Sequence, residues 1–491
     1  MPKNYNYADQ NRSESKALVK SDNNSHTLIV KGKGSLLALT DSILSSAIAA
    51  RKASQLAADD NWMQKIWDWA DMFDLSKDEI PRTREALWAL TELNINTNYP
   101  DNIDNEGNYI TPKDYENIPF YQMDYIPNEL TYLTNLVKLE LLKVDSSNLL
   151  QNIERLSNLT ELFISSDNVI DLPESIGNLR SLTKLGVYIQ SNIIPQSIGK
   201  LKNLVSFTFM GSDDFKQLPE NIGDLSNLCH LDLSSTGLES LPESIGNLSN
   251  LITLDLGYCN LQSLPESIGN LSNLTSLNLH NNWLKGRLPE SIGQLSSLTD
   301  LDLSYNGSIN ALPESIGNLS NLTELNLCRC NLQSLPESIG NLNNLTSLDV
   351  DNNAITELPE SIGNLSNLIT LDLGYCNLQS LPESIGNLSN LTSLDVGNND
   401  ITELPESIGN LSNLTSLDVD NNAITELPES IGNLSNLTSI SFRNNNLKAL
   451  PESIGNLSNL THLTVFGNDI TKLPDSIERL TKLRYLGIIY N

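Results

Sequence analysis

The sextet Leu-Pro-Glu-Ser-Ile-Gly starts at Leu241, Leu264, Leu288, Leu312, Leu335, Leu358, Leu381, Leu404, Leu427 and Leu450. Variants start at Leu172, Ile194, Leu218 and Leu473, and successive copies stand 22 to 24 residues apart. Such a period marks a stacked array, and it overrides the domain number that 491 residues would otherwise suggest. One unit reads LxxLxLxxNxLxxLPxxIxxLxxL. In the unit at Leu345, the apolar residues Leu345, Leu348, Val350, Ile355, Leu358, Ile362 and Leu365 cannot be enclosed by that unit alone. Stacked neighbours bury them, so the core is a column rather than a ball. Leu348 and Val350 alternate with Ser347 and Asp349, the period of a strand with one buried face. Pro359 and Glu360 open a short helical or 3-10 segment on the outer side, Pro at the first helical position and Glu at the positive end of the helix dipole.

Sixteen strand phrases predict sixteen parallel strands about 4.8 Å apart, a sheet on the order of 75 Å along its curve. Asn353, Asn399, Asn422, Asn445, Asn468 and Asn491 share one column. Their amides are expected to turn inward and bond the backbone of adjacent turns, because a buried amide needs partners. The pattern, from Leu136 to Asn491, resembles the leucine-rich repeat family. Its 23-residue LPxxIGNLxNL form is closest to intracellular Ras-group-type and plant-type repeats. The resemblance implies an α/β repeat solenoid, a horseshoe with a parallel β-sheet on the concave face and short helical or 3-10 segments on the convex face. Cys259, Cys330 and Cys376 stand in the Asn column, where the family also accepts Cys, and are expected to be buried and unpaired.

Ahead of the array, residues 1–34 are polar and expected to be disordered, and 35–58 read as a helix. Residues 35–98 together read as a helical N-terminal cap with a leading strand. Trp62, Ile66, Trp67, Trp69, Ala70 and Phe73 follow helical spacing, a second helix runs from about Pro81 through Ala89, and Leu90, Leu93 and Ile95 match the strand phrase. This cap resembles the two-helix cap of the type III-secreted leucine-rich-repeat effectors of bacterial pathogens, whose units are usually shorter. Between Leu90 and Leu136 one strand phrase is missing, so 99–135 is an insertion or a degenerate repeat; both readings stay open. At the other end, the strand phrase stops at Asn491 without a capping helix. A longer native chain, or self-association covering Leu483, Leu486 and Ile488, is the expected remedy.

The net charge of −30 argues against nucleic acid and against an anionic membrane surface. No run of 18 or more apolar residues is present, so no membrane span is expected, and the first residues lack the apolar stretch of a secretory signal. Twelve of the 60 acidic residues are the Glu after each Pro, so much of the charge is one local choice multiplied. His230, His280 and His462 fall in well-separated units and read as exposed sheet residues. No zinc-type CxxC, phosphate loop or nucleophile elbow occurs. Neither an enzyme nor a cofactor nor a metal site is expected. Unpaired thiols fit a reducing compartment, the cytoplasm or a host cell reached by a non-classical route.

Asp232, Asp255, Asp302, Asp349, Asp372, Asp395 and Asp418 share the outward strand position. Stacked carboxylates repel unless screened. Two readings stay open, a solvated face that is the family's default and a dock for a basic ligand or Ca²⁺. The strings Asn250–Leu277 and Asn367–Leu394 are identical, as are Asn344–Leu368 and Asn413–Leu437, so the middle of the array carries little address information. Distinct outward residues gather towards the ends. Phe163, Tyr188 and Met210 are the expected anchors, being aromatic and Met side chains of the hot-spot type. Asp349, Asp372, Asp395 and Asp418 supply electrostatic steering, and Tyr258, Tyr305 and Arg329 contribute at the strand exits. The expected function is a non-enzymatic scaffold that binds a protein or peptide, basic in character, on the concave face, in the manner of a bacterial secreted effector. The alternative is the recognition arm of a larger signalling protein or ubiquitin ligase whose catalytic domain lies beyond Asn491.

Overall fold

The structure, a computed structural model, describes residues 61–96, 125–168 and 170–488. The polar start, the helix expected over 35–58, most of the tyrosine-rich 99–127 stretch and Asn491 lie outside the described residues. The chain divides into two compact units, Met1–Asp60 and Asn61–Asn491, and the second is described here.

Helix α1 (Asn61–Met72) buries Trp62, Met63, Ile66, Trp69 and Ala70. Trp62 packs against Trp88 and Tyr132, with ring centroids 5.9 and 5.6 Å away. The indole N–H of Trp67 donates to the Pro81 carbonyl at 2.8 Å, and that of Trp69 to the Tyr125 carbonyl at 3.1 Å. The tryptophans thus join the cap helix to the first turn of the array. Helix α2 is shorter than the expected Pro81–Ala89. It runs Arg84–Trp88, because Thr83 is extended and its hydroxyl accepts the Ala86 N–H as an N-cap.

Strand β1 (Glu92–Asn96) pairs in parallel with β2 (Lys138–Leu142), Leu93 opposite Leu139. The two strands are thus direct neighbours in the ladder, although Leu90 and Leu136 stand two repeat lengths apart in sequence. From β2 onward, consecutive strand phrases pair in register: β3 (Glu161–Ser166), β4 (Lys184–Ile189), β5 (Ser206–Met210), and so on to Tyr485–Gly487. With β1, the sheet has 17 strands. From β3 onward each unit returns through a five-residue 3-10 turn such as Glu360–Asn364, entered from an extended Pro, whereas the β2–β3 unit uses a short helix, Ser147–Leu150, and a three-residue turn, Ile153–Arg155. The turn side is bulkier than the ~4.8 Å strand spacing, so the stack curves with the sheet inside. Between the exact sextets, the two 24-residue spacings, from Leu264 to Leu288 to Leu312, admit a second small sheet, Lys285–Arg287 paired with Ser308–Ala311.

The seven apolar positions of the unit at Leu345 are all buried. The Asn column behaves as expected. The Asn399 side chain donates to the Leu373 and Val396 carbonyls and accepts the Leu378 N–H at 2.9 Å, spanning two units. Asn282 and Asn306 belong to the same column and bond in the same way. In Cys-bearing units the thiol replaces the donor half of the amide, as when Cys330 donates to Leu303 O at 3.1 Å.

In seven units the Glu after Pro does something other than complement its own turn. The Glu174 carboxylate accepts the backbone N–H of Ser197 at 3.0 Å, and Glu452 that of Ser476 at 3.2 Å, each in the next unit. The carboxylate thereby satisfies an orphan donor at the neighbour's turn. The Gly closing each sextet is dictated by the same contact. A Cβ on Gly363 would stand 2.4 Å from the Ser384 carbonyl oxygen, whereas one on Gly307 meets nothing within 4 Å. Gly363→Ala is therefore expected to destabilise the chain by about 2 kcal/mol through overpacking against rigid backbone. Gly307→Ala should be neutral or slightly stabilising. Urea unfolding of the two variants followed by circular dichroism checks this; equal midpoints would contradict it.

Candidate functional site

The outward residues of the sheet form rows that cross all strands. The central row runs Glu140, Phe163, Gly186, Thr208, Asp232, Asp255, Asn278, Asp302, Asn326, Asp349, Asp372, Asp395, Asp418, Ser441, by direct register. In the Asp and Asn units, the side-chain oxygen accepts the backbone N–H two residues on. Ser234 donates to Asp232 at 3.0 Å, His280 to Asn278 at 2.9 Å and Gly397 to Asp395 at 2.8 Å. The carboxylate column is thus first a set of backbone acceptors at the strand ends. The strands from His230–Asp232 to Ser416–Asp418 in this row have three residues and β2 to β5 have five or six, but Ser439–Ser441, His462–Thr464 and Tyr485–Gly487 also have three without an acid or amide in the row, so the capture accompanies short strands without being required for them.

Those longer strands carry the expected anchors on neighbouring rows of one face. Phe163 pairs with Gly186, and Tyr188 with Met210. The ring of Phe163 fills the space that a Cβ on Gly186 would need, its edge 2.5 Å from that position. Tyr188 is 38% exposed. The patch is framed by ion pairs Lys138–Glu140 and Lys184–Glu161. Beside it, the small residues Ser206, Thr208 and Ser276 leave a depression of about 240 Å³ with His230, Asp232 and Asp255 in its lining.

A third row, at the strand exits, is left-handed throughout: Ser235, Tyr258, Asn281, Tyr305, Arg329, Asn352, Tyr375, Asn398, Asn421 and Asn444 have φ between 48 and 58°. Each of these N–H groups that points into the next unit fixes the turn, as when Tyr258 donates to the His280 carbonyl at 2.8 Å. Asn suits this conformation; Tyr and Arg do not. Tyr258 and Tyr305 flank His280 with ring centroids 4.9 Å away on both sides, and the Arg329 guanidinium lies 5.0 Å over Tyr305. His280, expected only as an exposed sheet residue, is the wedge of this stack, and its Nδ1 is 2.7 Å from the Ser304 hydroxyl. Neither His280 nor the exposed Trp283 could be found from periodicity, since the stack depends on which rows lie side by side. Tyr258, Tyr305 and Arg329 are therefore one cluster, separate from the Phe163 patch.

Along the strand starts runs a groove of about 1280 Å³, lined by Asn344, Thr346, Asn413 and Thr415 among others. Its amides and hydroxyls are spent on the fold: Asn344 donates to the Ser320 carbonyl at 2.8 Å and Thr346 to that of Thr323 at 3.0 Å.

The thiols are chemically quiet. Burial pushes Cys330 up to about 12 and Cys376 up to about 11, and burial with Asp349 and Asp351 pushes Cys328 up to about 12. All five Cys are free. Among the described residues, no group of three or more His, Cys, Asp or Glu is arranged to hold a metal ion. No described helix is long and apolar enough to cross a membrane.

Burial, with the neighbouring acids, raises the carboxyls of Asp349, Asp372 and Asp418, and raises Asp395 to about 6. A carboxyl raised on folding contributes stability at low pH, and that contribution is lost as pH rises through about 6. The thermal midpoint is expected to fall between pH 5 and pH 7. Asp395→Asn keeps the acceptor for the Gly397 N–H, as Asn278 does naturally, and removes the charge. It should raise stability at pH 7 by on the order of 1 kcal/mol, allowing for solvent screening, and flatten the pH dependence. Calorimetry at both pH values measures this; a lower midpoint for the variant at pH 7 would contradict it.

The leucine-rich repeat region profile matches residues 211–325, 301–378, 370–440 and 416–491. A leucine-rich-repeat protein of Leptospira interrogans is 34% identical, with 74% of this chain and 93% of that one covered and a TM-score of 0.66. A TDR receptor is 29% identical over 74% of this chain and 66% of that one, TM-score 0.60. An internalin of Listeria monocytogenes shares the fold at 24% identity, over 68% of this chain and 88% of its own, TM-score 0.53. No curated protein matches. Proteins on this fold are typically protein-interaction modules and generally non-catalytic. Sixteen in-register units behind a helical cap, the matching profile and the Leptospira likeness together place this chain in the leucine-rich repeat family.

Proposed function

We propose that this chain is a non-enzymatic scaffold that holds a protein or peptide partner on its concave face, with Phe163, Tyr188 and Met210 as the anchoring patch. One observation carries this reading. The three side chains come from three consecutive strands on the outward face, Phe163 and Tyr188 both beside Gly186 and Met210 in register with Tyr188, where the fold gains little from burying them. Gly186 is the accommodation, a missing side chain opposite Phe163 that lets its ring lie flat on the sheet. The Tyr258–His280–Tyr305–Arg329 stack is a second contact, and Asp349, Asp372, Asp395 and Asp418 steer a basic partner onto the face. The two-helix cap and the Leptospira likeness support a bacterial origin and a role as a secreted effector. The free thiols favour action in a reducing compartment.

The test compares wild type with a Phe163→Ala/Tyr188→Ala variant as baits in host-cell lysate, with quantitative mass spectrometry as readout. Truncating two central aromatic anchors should cost the captured set at least about tenfold in recovery, at unchanged thermal midpoint. The same proteins captured equally by both baits would sink the reading.

A further inference from the structure

The row between the Asp column and the left-handed row runs Ser234, Gly257, His280, Ser304, Cys328, Asp351, Gly374, Gly397, Asp420, Arg443, Phe466. Near its C-terminal end, this row contains both a filled and an unfilled version of one arrangement. In the filled version, Arg443 lies between Asp420 of the preceding unit and Phe466 of the next. Its Nε is 3.5 Å from Asp420 Oδ2, and its guanidinium is 4.6 Å over the Phe466 ring. Arg329 over Tyr305 repeats the pairing of guanidinium and aromatic ring.

In the unfilled version, two consecutive units have glycine in this row. A Cβ on Gly374 would meet Asp351 Oδ1 at 3.1 Å, Asp372 Oδ1 at 3.3 Å and Asp395 Oδ1 at 3.6 Å. One on Gly397 would meet Asp395 Oδ1 at 3.1 Å and Asp418 Oδ1 at 3.4 Å. The result is a slot two units long, about 10 Å by strand spacing. It is closed at its ends by Asp351 and Asp420 and floored by Asp372 and Asp395. The Oδ1 atoms of the floor residues take the Gly374 and Gly397 N–H groups, and their Oδ2 atoms have no hydrogen-bond partner among the described residues. Tyr375 stands at the rim, 58% exposed, in the left-handed conformation that the neighbouring units give to Asn352 and Asn398. Its side chain makes no ring, cation or hydrogen-bond contact among the described residues.

An internal comparison isolates what is special here. Asn250–Leu277 and Asn367–Leu394 are identical, so Gly257-Tyr258 and Gly374-Tyr375 are the same local structure in two settings. At Gly257 the following unit supplies the neutral Asn278, 3.0 Å from the Cβ position, beside the unit's own Asp255 Oδ1 at 3.3 Å, and the Tyr258 ring, though as exposed as Tyr375, is already stacked against His280. At Gly374 the neighbours are carboxylates, and the next unit has Gly397 where His280 would stand. Only the second copy joins an unstacked ring to a site whose side-chain neighbours are all carboxylates.

We propose that the slot over Gly374 and Gly397 receives an arginine side chain of a protein partner, the guanidinium among the carboxylates and against the Tyr375 ring, as Arg443 sits between Asp420 and Phe466. A planar fork with five N–H donors matches several carboxylate oxygens beside one ring better than a point charge does. This proposal rests on the scaffold reading, and it assigns one side chain of the partner.

The test uses a fluorescein-labelled Gly/Ser peptide with three arginines, against the same peptide with the neutral isostere citrulline. Fluorescence anisotropy on the full chain is read at physiological ionic strength, where attraction beyond about 8 Å is screened. The arginine peptide should bind about tenfold tighter than the citrulline one. Gly374→Arg, which fills the slot from within, should lose about tenfold of that affinity and raise the thermal midpoint. Ser458→Arg, the same charge change at an exposed site away from the slot, should not. Tyr375→Asn, which leaves the charge unaltered and suits the left-handed backbone, should lose about fivefold, and Tyr258→Asn nothing. Equal binding of the two peptides, equal losses in Gly374→Arg and Ser458→Arg, or no loss in Tyr375→Asn would each overturn the proposal. Because no natural partner enters this assay, its outcome is independent of the Phe163/Tyr188 test. A slot that binds arginine while that double variant captures everything would refute the anchoring patch alone.

Discussion

Every turn of this stack leaves backbone groups that it cannot satisfy itself, and the structure depends on the next turn satisfying them. The buried amide of Asn399 holds two carbonyls and one N–H, from its own unit and the one before. An unpaired group at that depth would cost about 1–3 kcal/mol, repeated at every unit. The repeated sextet is the second half of the same solution. Glu takes the neighbour's N–H, Ser presents its carbonyl, and Gly makes room for that carbonyl. The sequence repeats because the boundary condition repeats: each unit must be both a donor surface and an acceptor surface for a copy of itself.

That requirement separates what can be read along the chain from what cannot. The inward positions of the unit at Leu345 follow from period alone, because a side chain in a strand has only two faces. The amide column follows too, since a polar residue in an apolar rhythm must find partners. The Glu contact was invisible, because helix-dipole reasoning treats a turn in isolation, and the acceptor here serves a different turn. The carboxylate column looked like a surface feature; its first role is to capture, at the strand end, the N–H two residues on. The Tyr258–His280–Tyr305 stack was illegible for another reason. His280 belongs to one row and the tyrosines to another, and only the three-dimensional offset between an extended strand and a left-handed exit puts their rings 4.9 Å apart.

Departures from the repeat gain meaning against this background. The central row is mostly Asp or Asn, and where β3 to β5 have Phe163, Gly186 and Thr208 instead the strands run to five or six residues and offer a wider platform. The left-handed exit residue is best served by Asn, and Tyr or Arg there is tolerated at a cost of roughly 1–2 kcal/mol. Tyr258 is 59% exposed, so burial does not offset that cost. Residues that work against the local backbone, and recover nothing from packing, are the natural place to look for contact with another molecule.

Identity of sequence does not mean identity of surface in such an array. Gly257-Tyr258 and Gly374-Tyr375 lie in identical strings, yet one ring is stacked on His280 and the other has no ring partner among the described residues, because the side chain above each comes from the following unit. Contacts in a solenoid are shared between neighbours, so the chemical unit presented to a partner is a pair of repeats rather than one. A run of near-copies therefore encodes more addresses than it has distinct repeats. Changing the neighbours, from Asn278 to Asp395 and from His280 to Gly397, turns the same dipeptide from a ring-stacked patch into a negatively charged slot.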